Sequence, residues 1–220
     1  MEQVIGVVNK ALQFRSQQKD ILHGQGLHAG CSHGVWKKKQ ATLGDVTSLN
    51  VTMLRAGVQA GGKDVINVIP PAAEAGFDVR ISPHTDPSEI AEQIGMWCQE
   101  VQSSTPGLAP GGGLKWSFFH EPLMQHNITS TSPESNPWWP LLVNTLEKEF
   151  NIHATAEVFP AATDSRFLRA LGVKVFGFSP IRNSPILLHE HDEYIEEKIY
   201  LEGCEIYIRL IEKLSSQSLL

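Results

Sequence analysis

The sequence predicts an α+β sandwich lacking its opening strand over residues 1–120, followed by an α/β-layered segment over residues 136–220. Three observations lead there. The first part runs helix, strand, strand, helix, strand. The second alternates helices with short apolar strands. Between them residues 121–135 are polar and turn-rich, ending in "SPESNP", which marks a domain boundary.

"MEQVIGVVNKALQFR" (1–15) sets Val4, Ile5, Val8, Ala11 and Leu12 on one helical face, and it begins without a Ser, Thr, Asp or Asn cap. An amphipathic helix that starts this way reads as a chain entered in the middle of a domain. Residues 23–36, "HGQGLHAGCSHGVW", are glycine-rich without a period and read as a loop. In "TSLNVTML", Leu49, Val51 and Met53 alternate with polar residues as in a half-buried strand. A turn through Gly57, Gly61 and Gly62 leads to two further strand pieces ending near Ile81. Asp86 and Pro87 can cap and begin a helix with Ile90, Ile94, Trp97, Cys98 and Val101 inward. "LKWSFF" (114–119) reads as a strand.

In the second half, Asn136 can cap a helix that opens at Pro137 and continues through "WWPLLVNTLEKEF". "HATAEVF" (153–159) reads as a strand, "DSRFLRALG" as a short helix stopped by Gly172, and "VKVFGFSP" (173–180) as a buried strand. A long amphipathic helix from about Glu193 turns Ile195, Ile199, Ile206 and Leu210 inward.

A net charge of −6 and a pI near 5.8 argue against nucleic acid as a main partner, and Lys37–Lys39 is the only basic cluster. Cys31, Cys98 and Cys204 are odd in number and far apart, which speaks against a disulfide framework. No apolar run spans a bilayer, so no membrane partner is expected and the cytoplasm is the simplest location. There the sequons at Asn50 and Asn127 are silent.

The densest set of polar ligands is "LLHEHDE" (187–193). Glu190, Asp192 and Glu193 have an ordinary explanation, since carboxylates are favoured at a helix N-terminus. His189 and His191 do not, and histidine in a loop above strand ends can ligate zinc. One histidine makes no site, because zinc needs three or four ligands. His84, His120, His126 and His153 are scattered singly. His23, His28, Cys31 and His33 form a second set, but their spacing matches no familiar finger, and a flexible insertion explains them better. Arg80, near a strand end, can fork two hydrogen bonds to a carboxylate; a surface ion pair with Asp78 or Asp86 is the plainer reading. Thr163 and Asp164 stand where they can cap the helix after "PAATDSR".

Taken together, "NVIPPAAEAGFDVR", "NPWW", "PAATDSRFLRALGV", "GFSP" with "LLHEHDE", and the closing helix resemble the aminoacylases. These are N-acyl-amino-acid amidohydrolases of the co-catalytic zinc metallopeptidase family, which also includes carboxypeptidase G-like and desuccinylase enzymes. The resemblance implies a ferredoxin-like lid, here without its first strand (1–120, with an insertion near 23–36). A linker (121–135) and the C-terminal part of an α/β zinc-hydrolase domain (136–220) follow. It implies homodimerisation through the lid and two Zn2+ per complete site. His189 matches the family's last zinc ligand, and at most one ligand lies in this chain. Asn67 and Arg80 match lid residues that reach the N-acyl-amino-acid substrate or its carboxylate, and Thr163 and Asp164 fall in the motif lining the acyl pocket. The general base is expected upstream of Met1, so no catalytic residue is assigned and the chain is expected to be N-terminally truncated and inactive alone.

The implied reaction is zinc-dependent hydrolysis of N-acyl-L-amino acids to a carboxylate and a free L-amino acid. Two alternatives stand beside it: a non-catalytic module pairing with full-length subunits through the lid, and a related zinc carboxypeptidase or dipeptidase.

Overall fold

The computed structural model describes residues 1–24, 41–105, 113–119 and 125–216. They form two compact units. Unit 1 comprises Met1–His126 with Val158–Ala162, and unit 2 comprises Asn127–Glu157 with Thr163–Leu220. The loop of residues 25–36 and its His28, Cys31 and His33 lie outside the described residues.

Unit 1 is built on one antiparallel pair. β1 (Ser48–Ala56) runs against β4 (Ala73–Arg80), from Ser48 opposite Arg80 to Ala56 opposite Ala73, with a bulge between Val51 and Met53. A two-residue hairpin, β2 (Gln59–Ala60) and β3 (Lys63–Asp64), sits between them. Its turn residues Gly61 and Gly62 both have positive φ, 57° and 76°, the conformation a two-residue hairpin loop demands and glycine supplies without strain.

Two helices pack with this sheet. α1 (Glu2–Leu22) is longer than the apolar period indicates, because "SQQKDIL" continues it with good helix formers. It also buries a different stripe. Gln3, Val7 and Ala11 are buried, whereas Ile5 and Leu12 are exposed. Adjacent apolar residues in sequence leave the centre of a helical face undecided by a third of a turn, and the neighbouring helix decides it. α2 (Pro87–Ser104) follows expectation closely: the Asp86 carboxylate accepts from the Ser88 amide at 2.9 Å, Pro87 opens the helix, and Ile90, Trp97, Cys98 and Val101 are buried. Ala11, Leu49 and Trp97 make one core cluster, and Val7, Cys98 and Val101 the next; Phe77 and Ile94 pack against both. Phe14 meets Trp97 edge-on at 5.8 Å.

Residues 113–119 do not form the expected strand. Leu114 packs on the core while Trp116 and Phe118 contact each other edge-on, and neither described sheet includes this run. The sheet that β1 and β4 form in unit 1 is therefore two-stranded among the described residues, within a mixed helix-and-strand unit.

Unit 2 is organised by α3 (Trp138–Phe150) and α5 (Glu197–Ser216), with the short α4 (Ser165–Ala170) between them in sequence. Asn136 is fully buried before α3. Its Oδ1 accepts from the Trp138 amide at 3.3 Å and its Nδ2 donates to the Ser130 carbonyl at 2.7 Å. Pro140 falls in the first turn, where no amide is missed. Leu142, Leu146, Ile206 and Leu210 form the core. α5 starts at Glu197, later than the pattern indicates, and Ile195 is exposed.

The expected strands at 153–159 and 173–180 are absent as ladders among the described residues. Their composition is strand-like, but a strand exists only through a partner. At Val175, side chains take the partner's place. Its carbonyl accepts from the Thr129 hydroxyl at 2.9 Å and from Arg169 Nη2 at 3.0 Å, and its amide donates to the Thr129 hydroxyl at 3.2 Å.

Candidate functional site

The sequence-predicted residues fall on both units. Asn67 and Arg80 belong to unit 1, and Thr163, Asp164 and His189 to unit 2.

Asn67 lies in an exposed turn between β3 and β4, not on a strand. Ile66 and Ile69 beside it are 96% and 91% exposed, so this turn offers an apolar surface around one amide side chain. Arg80 is the last residue of β4 and is exposed; its Nε lies 3.1 Å from Asp78 Oδ2, the plain ion pair that the sequence allows. Asp86 instead caps α2.

Sequence reading misses the clasp that holds this end of the sheet. Thr42 donates to Asp45 Oδ2 through both its amide (2.8 Å) and its hydroxyl (2.9 Å), closing a 3-10 turn at Leu43–Asp45. The Ser82 amide donates to the Thr47 hydroxyl at 3.0 Å, and the Ser82 hydroxyl to the Asp45 carbonyl at 3.1 Å. The Thr47 amide donates to Gln18 Oε1 of α1 at 2.9 Å. Thr47 and Ser82 are both buried, and they flank the Ser48–Arg80 pair, so the backbone presenting Arg80 is fixed on both strands. The Thr42 hydrogen bonds hold the Asp45 carboxyl below its usual value, with a smaller contribution from His84, whose Nε2 lies 3.4 Å from Asp45 Oδ1. The short Thr42-to-Asp45 spacing is a legible capping signal; the pairing of residues 35 apart in sequence is not.

Asp164 stands at the N-cap of α4 without a side-chain cap. Capping needs an extended residue, and Asp164 is already helical at φ −63°, ψ −15°, so its carboxylate does not turn back onto the helix amides. The turn is held by backbone bonds, Arg166 N to Thr163 O (3.2 Å) and Phe167 N to Asp164 O (3.0 Å). Thr163 and Asp164 are exposed.

His189 occupies a tight turn in which the Glu190 amide donates to the Leu187 carbonyl at 3.0 Å. Its φ is +65°, while Leu188 has no positive φ, so His189 is at the third position of a type II turn. Glycine or asparagine is the ordinary occupant there, and a histidine costs about 1 kcal/mol or more of backbone strain. The imidazole is exposed, as is that of His191. Glu190, Asp192 and Glu193 precede α5 by at least a turn, so the helix dipole accounts for Glu197 rather than for them. Among the described residues no three His, Cys, Asp or Glu side chains stand together where they could hold a metal ion.

Residues 59–213 match peptidase family M20/M25/M40, and residues 5–106 match a peptidase dimerisation domain. The chain is 40% identical over 217 residues to aminoacylase-1 of Dictyostelium discoideum, covering 97% of this chain and 47% of that protein. It is 36% identical over 219 residues to aminoacylase-1 of Homo sapiens, covering 98% and 45%. A more remote likeness, 23% over 168 residues, is to succinyl-diaminopimelate desuccinylase of Pseudoalteromonas translucida, covering 76% and 39%. The chain thus spans less than half the length of these relatives.

Proposed function

Because the chain belongs to peptidase family M20/M25/M40, we propose that it is the lid and C-terminal catalytic portion of a zinc-dependent amidohydrolase that splits N-acyl-L-amino acids into a carboxylate and a free L-amino acid. The observation that carries this reading is the likeness to aminoacylase-1 over 97–98% of the chain. The boundaries proposed are a ferredoxin-like lid at 1–120, a linker at 121–135 and the catalytic portion at 136–220. Two copies pair through the lid, in keeping with the dimerisation-domain match at 5–106.

The described residues do not by themselves constitute a zinc site, since they supply one donor and zinc needs three or four. His189 is that donor, and its strained backbone supports the role: a residue kept at positive φ against its own preference is held there for its side chain. Arg80 binds the substrate carboxylate, a task suited to a planar guanidinium at a rigid strand end, with Asn67 reaching the substrate from the turn between β3 and β4. Thr163 and Asp164 line the acyl side. A cytoplasmic location accords with Cys98 and Cys204, both free thiols. No helix among the described residues is long and apolar enough to cross a membrane.

The test is a single polypeptide joining the part of the Dictyostelium relative that has no counterpart here to this chain. It is expected to bind zinc and release amino acid from N-acetyl-L-methionine. His189→Ala should lower both zinc content and turnover by at least tenfold. A fusion that folds and binds zinc but leaves N-acyl-amino acids intact would sink the reading.

A further inference from the structure

Strand ends fray, and Arg80 stands at one. The β1–β4 ladder stops at the pair Ser48–Arg80, so the next backbone groups need other partners. Side chains supply them. The Ser82 amide donates to the Thr47 hydroxyl at 3.0 Å. The Ser82 hydroxyl bridges two backbone groups, donating to the Asp45 carbonyl at 3.1 Å and accepting from the His84 amide at 3.3 Å. The Thr47 amide is in turn held by Gln18 Oε1 of α1 at 2.9 Å.

This clasp is buried, and the group beside it is not. Thr47 and Ser82 are 2% and 3% exposed, whereas the side chains of Arg80 and Asp78 are both about half-exposed. A buried hydrogen bond does not compete with water, so it stays closed while an exposed side chain next to it exchanges partners. The head of Arg80 is oriented separately. Asp78, two residues earlier and so on the same face of β4, takes its Nε at 3.1 Å, an arrangement in which the two Nη groups can meet a carboxylate end-on. That ion pair is weak in water, and it aims the guanidinium only as well as the backbone beneath it is held.

We propose that Thr47 and Ser82 are positioning residues for carboxylate recognition: they close the end of the sheet so that Arg80 is ordered before substrate arrives. This rests on the assignment of Arg80 to the substrate carboxylate made above. A guanidinium on a frayed end must be ordered at each binding event, and the lost freedom is subtracted from affinity. The clasp makes that loss in folding instead. Anchoring a remote carboxylate acts on the bound substrate and the transition state alike, so the effect falls on KM and spares kcat.

The test uses the zinc-loaded fusion described above, with N-acetyl-L-methionine as substrate. Thr47→Val keeps the shape of the side chain and removes the acceptor for the Ser82 amide; it should raise KM about fivefold and leave kcat unchanged. Thr47→Ser retains the hydroxyl and should restore KM. Ser82→Ala, which removes only the bridge between Asp45 and His84, should raise KM about threefold. Arg80→Ala should raise it at least about tenfold, and adding Thr47→Val to Arg80→Ala should change nothing further, because no guanidinium is left to position. A purely structural role would add its full effect in that background too. Amide exchange over residues 80–82, read on the same fusion without turnover, should quicken about tenfold in Thr47→Val and recover in Thr47→Ser. An unchanged KM or unchanged exchange in Thr47→Val, or a KM rise that persists without Arg80, would overturn the role of the clasp alone. An Arg80→Ala fusion of ordinary KM would overturn the assignment of Arg80, and the clasp's role with it.

Discussion

Unit 1 and unit 2 have similar ingredients, helices with strand-like segments, and end in different states. In unit 1 the β1–β4 pair is packed with α1 and α2, and two core clusters share Phe77 and Ile94. In unit 2 the buried apolar side chains among the described residues form one cluster between α3 and α5, while a second apolar stripe on α5 faces solvent. The difference lies in pairing rather than composition. A sheet closes its own hydrogen bonds once two strands meet, whereas a lone strand-like segment has no lower-energy place to go.

The units should therefore lose structure separately. Leu49 and Leu146 are 2% and 0% exposed, one in each unit, and truncating either to alanine should cost about 3 kcal/mol. Hydrogen exchange during denaturation should show Leu49→Ala weakening unit 1 and Leu146→Ala weakening unit 2. A single transition shifted equally by both would break the comparison. Gly44→Ala sharpens it. An added Cβ would run into the Val158 carbonyl oxygen, so this change should cost about 2 kcal/mol and release Val158–Ala162 from unit 1, leaving α3 and α5 unaffected by the same assay.

A smaller effect follows from Asp45. Its folded value is depressed, so its contribution is fully present above the ordinary 3.8 and is lost as the pH falls through the lower folded value. Acid titration should therefore weaken unit 1 through this clasp, and Asp45→Asn should remove about 1 kcal/mol at neutral pH and flatten that part of the titration. The smallest difference is chemical. Burial pushes the Cys98 thiol up, whereas Cys204 is half-buried, so a thiol reagent at pH 8 should label Cys204 before Cys98.

What could be read from sequence followed the range of the forces involved. The Asp86–Pro87 start of α2, the β1 alternation around Leu49 and the Asn136 hydrogen bond ahead of α3 are decided within a few residues, and all three are found. The inward face of α1 is set by contact with both β1 and α2, so Val7 and Gln3 rather than Ile5 are buried. Runs 114–119, 153–159 and 173–180 carry the right residues but need partners that no local pattern specifies. At the candidate site, the left-handed turn at His189 and the Thr47–Ser82 clasp depend on geometry that no local pattern specifies.

The close approach of Gly44 to Val158 also has a temporal side. These residues lie about 110 positions apart, and the chain between them includes α3, which belongs to the other unit. On a ribosome the first unit cannot finish when its own helices and strands have emerged. It must wait until residues 158–162 emerge from the exit tunnel, by which time α3 is already outside. Closing so long a loop is slow relative to forming the local hairpin or helices. Folding is therefore interleaved rather than sequential, and a nascent chain halted before Val158 leaves the surface around Gly44 uncovered.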